Sequence, residues 1–414
     1  MDILRLATAG SVDDGKSTLI GRLLYDTHAA QQDQIEAVGR ASRRMGGEDL
    51  NLALLTDGLK AEREQGITID VAYRYFATAR RKFIIADTPG HVQYTRNMVT
   101  GASTAELAVV LVDARHGMTE QSRRHALICS LLGVPHLVLA VNKMDLVDYD
   151  QAAFQRIDEE FTRFSARLRI PDLSVIPISA LQGDNVVRRT TRMPWYEGSS
   201  LLHHLEQVHV AADQNLIDLR FPVQYVIRPY RDEYHDYRGY AGKIAAGVLR
   251  VGDEVIALPS GMTSTVTAID TPAGEAAEAF AGMSVTVRLA DDIDLSRGDV
   301  LTRLNNQPRT TQDVDAMLCW MSREELRPGM RVLVKHTTRT VPAVVKQVRY
   351  RMDVNTLHRT EADALGFNEI GRVRLRTTQP IMCDDYQRSR ATGGFILIEP
   401  ATKLTLAGGM IRLD

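Results

Sequence analysis

Cysteine is scarce in this chain of 414 residues, which also lacks long apolar runs and an excess of either charge. The three cysteines, Cys129, Cys319 and Cys383, are odd in number and far apart. That spacing excludes a disulfide framework or a cysteine metal cluster and fits a reducing compartment. No apolar run approaches the roughly 18 residues of a membrane span, and the first ten residues lack a signal-peptide pattern. We therefore expect a cytoplasmic protein that does not contact a membrane.

The net charge of -2 gives no general electrostatic attraction to DNA, RNA or acidic lipid. A hydrophobic content of 44% and a charged content of 25% are typical of a globular protein. A chain of 414 residues is too long for one ordinary core, so we expect two to four domains.

Apolar segments of strand length recur in the first half, with helical patterns between them, at 3–9, 83–86, 108–112, 137–141 and 173–178. One helical pattern, 151–168, places five apolar residues on a single face: Phe154, Ile157, Phe161, Phe164 and Leu168. Buried strands that alternate with helices predict an α/β domain with a doubly wound, mostly parallel sheet. Such sheets bind ligands at the carboxyl ends of their strands.

The pattern changes after about residue 218 to short β-branched segments separated by turn residues, with little helical periodicity. This texture predicts two small antiparallel β-barrels. The predicted domains are therefore 1–217 for the α/β domain, 218–308 for the first barrel and 309–414 for the second.

A glycine-rich loop follows the first predicted strand and precedes a predicted helix, 17–27, with Leu19, Ile20, Leu23 and Leu24 facing inward. The loop fits the G-x-x-x-x-G-K-[ST] pattern, whose backbone N–H groups wrap phosphate oxygens. A lysine at that position neutralises the β- and γ-phosphates, the next hydroxyl ligates Mg²⁺, and the helix dipole favours the anion. The predicted phosphate-binding residues are Gly10, Ser11, Val12, Asp13, Asp14, Gly15, Lys16, Ser17 and Thr18.

Two further motifs suit the γ-phosphate and the metal. The first is DTPGH, residues 87–91, directly after a predicted strand, and its members are Asp87, Thr88, Pro89, Gly90 and His91. Asp87 can hold Mg²⁺ through water, and the Gly90 N–H can meet the γ-phosphate. The second is GITID, residues 66–70, in which Thr68 can reach Mg²⁺ and the attacking water.

Two motifs suit the base. In NKMD, residues 142–145, Asp145 is expected to accept hydrogen bonds from guanine N1–H and the 2-amino group. Adenine lacks both donors, so a site of this kind rejects it strongly. In SAL, residues 179–181, the Ala180 N–H can meet guanine O6. The base-binding residues are thus Asn142, Lys143, Asp145, Ser179, Ala180 and Leu181. Five motifs in this order predict a guanine-nucleotide-dependent NTPase that uses GTP/GDP and Mg²⁺.

His91 is the candidate that orients or polarises the attacking water, because a neutral imidazole can reach the γ-phosphate from this loop. The simpler alternative is a surface histidine. Val12 and Ile67 are apolar and can screen His91 until activation. Arg63 and Arg96 are candidates for charge stabilisation, although solvation at the surface explains either. The predicted catalytic residues are His91, Lys16 and Thr68, and the predicted metal ligands are Ser17, Thr68 and Asp87 through water.

The P-loop, EREQGITID, DTPGH, NKMD and two β-barrels together resemble the translational GTPases related to elongation factor Tu. The stretch LKAEREQGITIDVAY, residues 59–73, resembles the elongation factor 1-alpha branch. Several stretches depart from translation factors, namely GSVDDGKST, HVQYTRNMVTGASTAELAVVLVDAR, EQSRRHALICSLLG, MPWYEGSSLLHHLE and VKHTTRT. These stretches closely resemble the large GTPase subunits of bacterial ATP sulfurylase, and the resemblance covers essentially the whole chain.

That resemblance implies a small catalytic partner subunit, which makes adenosine 5′-phosphosulfate and pyrophosphate from ATP and sulfate. GTP hydrolysis on the large subunit is expected to drive this step. Some members of the family continue into an adenylylsulfate kinase. These 414 residues hold one P-loop, so no kinase domain is expected within them, and the sequence leaves open whether the native protein continues into one. The alternatives are a translation factor that delivers aminoacyl-tRNA and a purely regulatory GTPase. For the translation factor, the net charge of -2 offers no basic groove overall, although it allows a local basic patch.

Overall fold

The computed structural model describes residues 2–44, 50–56, 70–210, 215–228 and 237–413. The chain forms two compact units. The first comprises Met1–Val210 and Val354–Leu357, and the second comprises Ala211–Asp353 and His358–Asp414. The predicted α/β region thus falls in the first unit and both predicted barrels in the second. The boundaries at 217/218 and 308/309 stay a prediction.

The first unit contains a six-stranded sheet in the order β2-β3-β1-β4-β5-β6. Only β2 runs antiparallel to its neighbour, and the other pairings are parallel. The strands are β1 (Ile3–Gly10), β2 (Ala72–Ala77), β3 (Lys82–Asp87), β4 (Leu107–Asp113), β5 (His136–Asn142) and β6 (Asp172–Pro177). Strand β4 is buried along its whole length, as expected for a central strand covered on both faces.

Helices connect these strands, as the alternation predicted. They are α1 (Lys16–Asp26), α2 (Gln32–Arg44), α3 (Thr95–Ser103), α4 (Glu120–Leu131), α5 (Gln151–Ser165) and α6 (Leu201–Gln207). Short 3₁₀ helices cover Leu52–Leu55, Val92–Tyr94 and Met144–Val147. The four inward residues expected for α1 are buried.

Helix α5 is shorter than its sequence pattern. The pattern ran to residue 168, but the helix ends at Ser165. Phe154, Ile157 and Phe161 are buried, while Phe164 and Leu168 are only half-buried. The apolar spacing continued past the hydrogen-bonded turns, so the last part of the prediction was wrong.

The second unit contains two closed, six-stranded antiparallel barrels, each with one extra strand beside it. The first is built from β7 (Phe221–Ile227), β8 (Gly239–Lys243), β10 (Glu254–Leu258), β11 (Met262–Thr271), β14 (Ser284–Leu289) and β15 (Val300–Thr302), with β12 (Gly274–Ala276) added. Strands β9 (Val248–Arg250) and β13 (Glu278–Phe280) form a separate pair. The fold class predicted from the sequence is confirmed.

The second barrel is built from six longer strands: β16 (Arg309–Trp320), β17 (Arg331–His336), β18 (Arg339–Met352), β20 (Ile370–Cys383), β21 (Gly394–Ile398) and β22 (Thr405–Ile411). The extra strand is β19 (Arg359–Thr360), and a single helical turn, α7 (Arg390–Gly393), precedes β21. The barrel closes through pairing of β17 with β18.

A buried ion pair joins the two barrels. Arg220 Nε and a terminal nitrogen of Arg220 donate to the two carboxylate oxygens of Asp384, each over 2.8 Å. The side chains are only 1% and 5% exposed. The guanidinium also donates to Asn306 O at 2.7 Å and to Thr302 Oγ1 at 3.1 Å. Because both charges in this contact have partners, the pair can remain buried.

All three cysteines are buried, and none of them forms a disulfide. None of the helices in the described ranges is long and apolar enough to cross a membrane.

Candidate functional site

The P-loop joins the end of β1 to the start of α1, at the carboxyl edge of the sheet. Gly15 lies in the left-handed region with φ 91°, and a side chain there would meet the Asn142 amide at 2.5 Å. Glycine is therefore required at this position for both conformation and space. No side chain caps the first turn of α1, so its N–H groups and its positive dipole end face the loop.

Lys16 lies buried inside the P-loop. Its ammonium donates to Gly10 O and Ser11 O, each over 3.0 Å, so the loop carbonyls hold it where phosphate oxygens are expected to bind. Burial lowers the pKa of Lys16, and the nearby carboxylates of Asp87, Asp14 and Asp13 oppose that effect. An added anionic ligand would favour the charged ammonium further.

The remaining loop residues fall into two groups. Asp14 is buried and accepts the Ser11 N–H at 2.6 Å, and burial raises the pKa of its carboxyl. Asp13 and Val12 are exposed, and Asp13 has φ 67°. Val12 is 38% exposed, and its role as a screen of His91 stays a prediction.

The DTPGH segment packs directly on the P-loop. A Cβ on Gly90 would overlap both Lys16 Nζ and Gly10 O, so no larger residue fits here without displacing the lysine. Thr88 is fully buried and donates to Thr8 O at 2.6 Å, and Thr8 Oγ1 donates to the Asp87 carboxylate at 3.3 Å. These contacts hold the DTPGH segment against the end of β1 and the P-loop.

His91 begins the turn that leads into α3. Its Nδ1 accepts the Gln93 N–H at 3.2 Å, and its ring lies 5.9 Å from that of Tyr94. Since Nδ1 acts as the acceptor, a neutral His91 carries its proton on Nε2. The other side of the ring is therefore a hydrogen-bond donor, which suits orientation of a water or phosphate oxygen better than proton abstraction.

The Asn142 side chain joins the phosphate and base segments. Its amide nitrogen donates to Asp14 O at 2.7 Å, and its oxygen accepts the Ala180 N–H at 2.9 Å. The sequence interpretation assigned Asn142 and the Ala180 N–H to the base. Contact of either with guanine stays a prediction, because both groups are engaged with each other in this structure.

Asp145 lies next to the SAL segment, as the base-recognition hypothesis requires. The Ser179 hydroxyl donates to Asp145 Oδ1 at 2.5 Å. The same hydroxyl oxygen accepts the Gln182 N–H at 3.1 Å. One carboxylate oxygen is thus fixed within the protein. Leu181 is 53% exposed and lies at the rim.

Asp113 is a residue that the sequence analysis missed. It ends β4 with its side chain 4% exposed, and it accepts Lys143 Nζ at 2.9 Å and Arg115 at 2.7 Å. Burial opposes the charge, but hydrogen bonds from Arg115 and Lys143 outweigh it and hold the pKa of this carboxyl well below its usual range. Lys143 itself has φ 63°, so Asp113 stabilises a lysine in an uncommon conformation. The position of Asp113 at the carboxyl end of a buried apolar strand was the sequence signal that could have identified it.

Arg22 and Thr119 also support the site. The Arg22 guanidinium donates to Ala180 O at 3.1 Å and to Leu181 O, which anchors the SAL segment on α1. Thr119 caps α4, and its hydroxyl lies 3.0 Å from that of Ser11. Neither residue belongs to a recognisable motif, so only the three-dimensional arrangement reveals these roles.

Oxygen ligands suited to Mg²⁺ are present at the carboxyl edge of the sheet, where the phosphates are expected to bind. Ser17 is half-buried, and its hydroxyl makes no hydrogen bond to any other residue in the described ranges. The carboxylate of Asp87 is 2% exposed and close enough to influence Lys16. Hydroxyl and carboxylate oxygens suit a hard cation that keeps most of its waters. Thr68, Ile67 and Arg63 lie outside the described residues.

Comparisons with known proteins agree with this arrangement. The family profile "Elongation factor Tu GTP binding domain" matches residues 1–221, and "GTP-eEF1A C-terminal domain-like" matches residues 313–412. The chain is 63% identical over its whole length to "Bifunctional enzyme CysN/CysC" of Mycobacterium tuberculosis and spans 67% of that protein. It is 54% identical to "Sulfate adenylyltransferase subunit 1" of Bacteroides fragilis, over 99% of this chain and 86% of that one.

A third relative, "Sulfate adenylyltransferase subunit 1" of Teredinibacter turnerae, is 52% identical over 99% of this chain and 87% of its own length. Identity of 52–63% over 99–100% of this chain, together with the profile match to residues 1–221, shows the family. The chain belongs to the sulfate adenylyltransferase subunit 1 family, whose GTP-binding domain is of the elongation factor Tu type.

Proposed function

We propose that this chain binds GTP and GDP at the carboxyl edge of the six-stranded sheet and hydrolyses GTP there, in the cytoplasm. The observation that carries the proposal is the double contact of Asn142 with Asp14 O and the Ala180 N–H. One side chain thereby fixes the spacing between the loop suited to phosphate and the segment suited to the base. A nucleotide is the ligand that would reach from the P-loop to the SAL segment and fit both.

Binding of the triphosphate exchanges partners at Lys16. The ammonium leaves the Gly10 and Ser11 carbonyls for phosphate oxygens, and the start of α1 adds its N–H groups. Since burial already lowers the pKa of Lys16, phosphate charge compensates a cost that the free protein carries.

Base selection depends on Asp145. With one oxygen held by Ser179, the carboxylate presents acceptor capacity to the N1–H and 2-amino donors of guanine. Adenine offers neither donor, so it would leave the second carboxylate oxygen without a hydrogen-bond partner. A site with an unsatisfied polar group of this kind rejects the wrong base strongly.

Ser17, Thr68 and Asp87, the last through water, are the residues that would hold Mg²⁺. When bound, the ion neutralises charge on the phosphate oxygens. His91 presents its Nε2–H, which orients the attacking water or contacts the γ-phosphate. Lys16 and the P-loop position the phosphates, so this chain contributes chiefly positioning and electrostatic stabilisation.

We further propose that GTP turnover drives sulfate activation on a small catalytic partner subunit, which forms adenosine 5′-phosphosulfate and pyrophosphate from ATP and sulfate. The subunit designation of the relatives and the single, guanine-type base set of this chain support this division. The phosphoric–sulfuric anhydride is less stable than the ATP bond it replaces, so the step needs a drive. Coupling then requires that the nucleotide states of this chain bind the partner differently.

The test uses the purified chain alone. We expect it to bind fluorescent GDP and GTP in preference to ATP, to hydrolyse GTP, and to form no adenosine 5′-phosphosulfate from ATP and sulfate. Equal affinity for ATP and GTP, or adenylylation by the chain without a partner, would contradict the proposal.

A further inference from the structure

Positive charge is concentrated in one part of this nearly neutral chain. Residues 309–414 contain 17 Lys and Arg against 12 Asp and Glu, whereas residues 218–308 contain 9 against 13 and residues 1–217 contain 24 against 27. The excess of positive charge therefore belongs to the second barrel alone. Much of it lies on the outer side of β18 and β20, on a surface that we call the basic face: Lys346, Arg349, Arg372, Arg374 and Arg376.

The alternation of β20 builds this face. Val373 and Leu375 point into the barrel and are fully buried, so the arginines between and beside them point outward. Arg374 and Arg376 are exposed, and Arg372 is half-buried. In the antiparallel register Arg374 lies opposite Gln347 of β18, which places it beside the exposed Lys346.

Carboxylates on the same side neutralise only part of the charge. Asp315 accepts both Arg372 at 2.5 Å and Arg349 at 2.9 Å. Asp313 pairs with Arg376 at 2.5 Å. These are side-by-side pairs within the face.

Two cations remain without such partners. Arg374 lies opposite Asp315 in the β16 register, but Arg349 and Arg372 already occupy that carboxylate. Neither the Arg374 side chain nor the Lys346 side chain makes a hydrogen bond or ion pair with any residue that the structure describes. The basic face thus contains two neighbouring exposed cations without an ion-pair partner among the described residues, while its other cations are paired with carboxylates.

The composition of the face fits a protein better than a nucleic acid. Because two carboxylates interrupt the arginines, the face lacks the continuous row of cations that follows a phosphate backbone, whereas a protein surface can place single carboxylates opposite the two unpaired cations. An aromatic contact adjoins the charges, since Arg359 lies over the Tyr350 ring at 4.9 Å and Tyr350 reaches the sulfur of Met317 at 3.5 Å. Met317 itself is buried, but Arg359 is exposed and Tyr350 is half-buried, and Arg and Tyr are enriched in protein interfaces.

We propose that the basic face docks an acidic surface of the catalytic partner subunit, with Arg374 and Lys346 pairing with carboxylates of that subunit. The identity of the partner rests on the proposed function, while the surface and its charge preference rest on the barrel. Because the contact is electrostatic and exposed, it acts mainly on the rate of association and weakens with salt.

The experiment measures binding of the full chain to the purified partner subunit by surface plasmon resonance, at about 0.1 M and 0.5 M salt, salts that span a large change in screening. The variants are the double substitution Arg374→Glu with Lys346→Glu and the neutral pair Arg374→Gln with Lys346→Gln. The control is Lys403→Glu, an exposed lysine at the turn between β21 and β22, away from β18 and β20. Fluorescent GDP binding and thermal unfolding report whether each variant remains intact.

We expect the Glu pair to lower the association rate about tenfold or more at low salt, the scale of electrostatic steering. The Gln pair should have a smaller effect, and Lys403→Glu should behave as the parent. High salt should shrink the differences. Unchanged association in the Glu pair, an equal loss in Lys403→Glu, no binding of the parent to the partner, or a gel shift of transfer RNA that the Glu pair abolishes would each overturn the proposal.

Failure of the interface and failure of the proposed function give different results. If the Glu pair binds the partner normally while GTP still raises adenosine 5′-phosphosulfate, only the interface is wrong. If association of the Glu pair slows as expected but GTP does not affect product formation by the parent complex, the interface stands and the coupling is wrong.

Discussion

The side-chain oxygen of Asn142 accepts the backbone N–H of Ala180 over 2.9 Å, while its amide nitrogen donates to Asp14 O. Asn142 ends β5, Ala180 follows β6 and Asp14 lies in the loop after β1. Three separate carboxyl ends of one sheet are thus joined by a single side chain. The position of the base segment relative to the phosphate loop is therefore set by the sheet, and nucleotide preference can be tested at single residues.

Asp145→Asn should move nucleotide preference from GTP toward xanthosine triphosphate. In the proposed binding mode the carboxylate accepts from the 2-amino group of guanine, whereas the new amide can donate to the C2 oxygen of xanthine. Competition of GTP and xanthosine triphosphate against a fluorescent nucleotide measures this preference. A variant that prefers GTP as strongly as the parent does would contradict the role of Asp145.

Lys16→Ala and His91→Ala should separate binding from hydrolysis. Lys16 is buried within the loop. In the proposed function it neutralises phosphate charge, so its loss should reduce nucleotide affinity and turnover together. The proposed role of His91 is to orient the reacting groups, so His91→Ala should keep GTP affinity within a few-fold and lower turnover by about 10² or more, the usual scale for such a group. Equal losses of GTP affinity in the two variants would show that these roles are not separate.

Arg220→Ala should destabilise the barrel unit by about 3–5 kcal/mol, because Asp384 would keep an unpaired buried charge. Arg220→Met combined with Asp384→Leu should recover much of that loss. The control is Arg250→Ala, since the Arg250–Glu278 pair is more than half exposed on both sides and such pairs contribute at most about 1 kcal/mol. Urea unfolding followed through Trp320 in a Trp195→Phe background measures the unit. An equal effect of Arg220→Ala and Arg250→Ala would contradict this assignment.

Acid should weaken the same unit through Asp218. Hydrogen bonds from Arg388, Asn215 and Asn306 hold the pKa of this carboxyl well below its usual range. Its stabilisation is therefore present above the unfolded pKa of about 3.9 and is lost as the pH falls from there toward the folded pKa. The difference in unfolding free energy between the parent and Asp218→Asn should be constant near neutrality and narrow below about pH 4. If the difference in unfolding free energy instead grew on acidification, the proposed contribution of Asp218 would be contradicted.

The sequence predicted those features that depend on local pattern. Continuous apolar segments gave the central strands, and the glycine and lysine spacing identified the loop between β1 and α1. The carboxyl ends of parallel strands share one edge, so NKMD and SAL could be expected to approach the P-loop. The family resemblance was confirmed by relatives that match nearly the whole chain.

Other features depend on contacts between segments distant in sequence and carry no local signal. The interaction of Asp113 with Lys143, the anchoring of Ala180 by Arg22, and the pairing of Arg220 with Asp384 each join residues 30 to 164 positions apart. The end of α5 was misplaced because apolar spacing persists beyond the last helical turn. The register that leaves Arg374 unpaired among the described residues also requires the barrel, since sequence does not show which carboxylate its neighbours occupy.

The most direct test of the account measures the final level of adenosine 5′-phosphosulfate made by this chain and the small partner subunit from ATP and sulfate. Three conditions are compared: no guanine nucleotide, GTP, and a non-hydrolysable GTP analogue. A nucleotide that binds without turnover can shift a conformational equilibrium once but cannot drive a steady uphill reaction. The account predicts product above the nucleotide-free level only while GTP is hydrolysed, with assembly but no excess in the presence of the analogue. A final product level that is the same with and without GTP would contradict it.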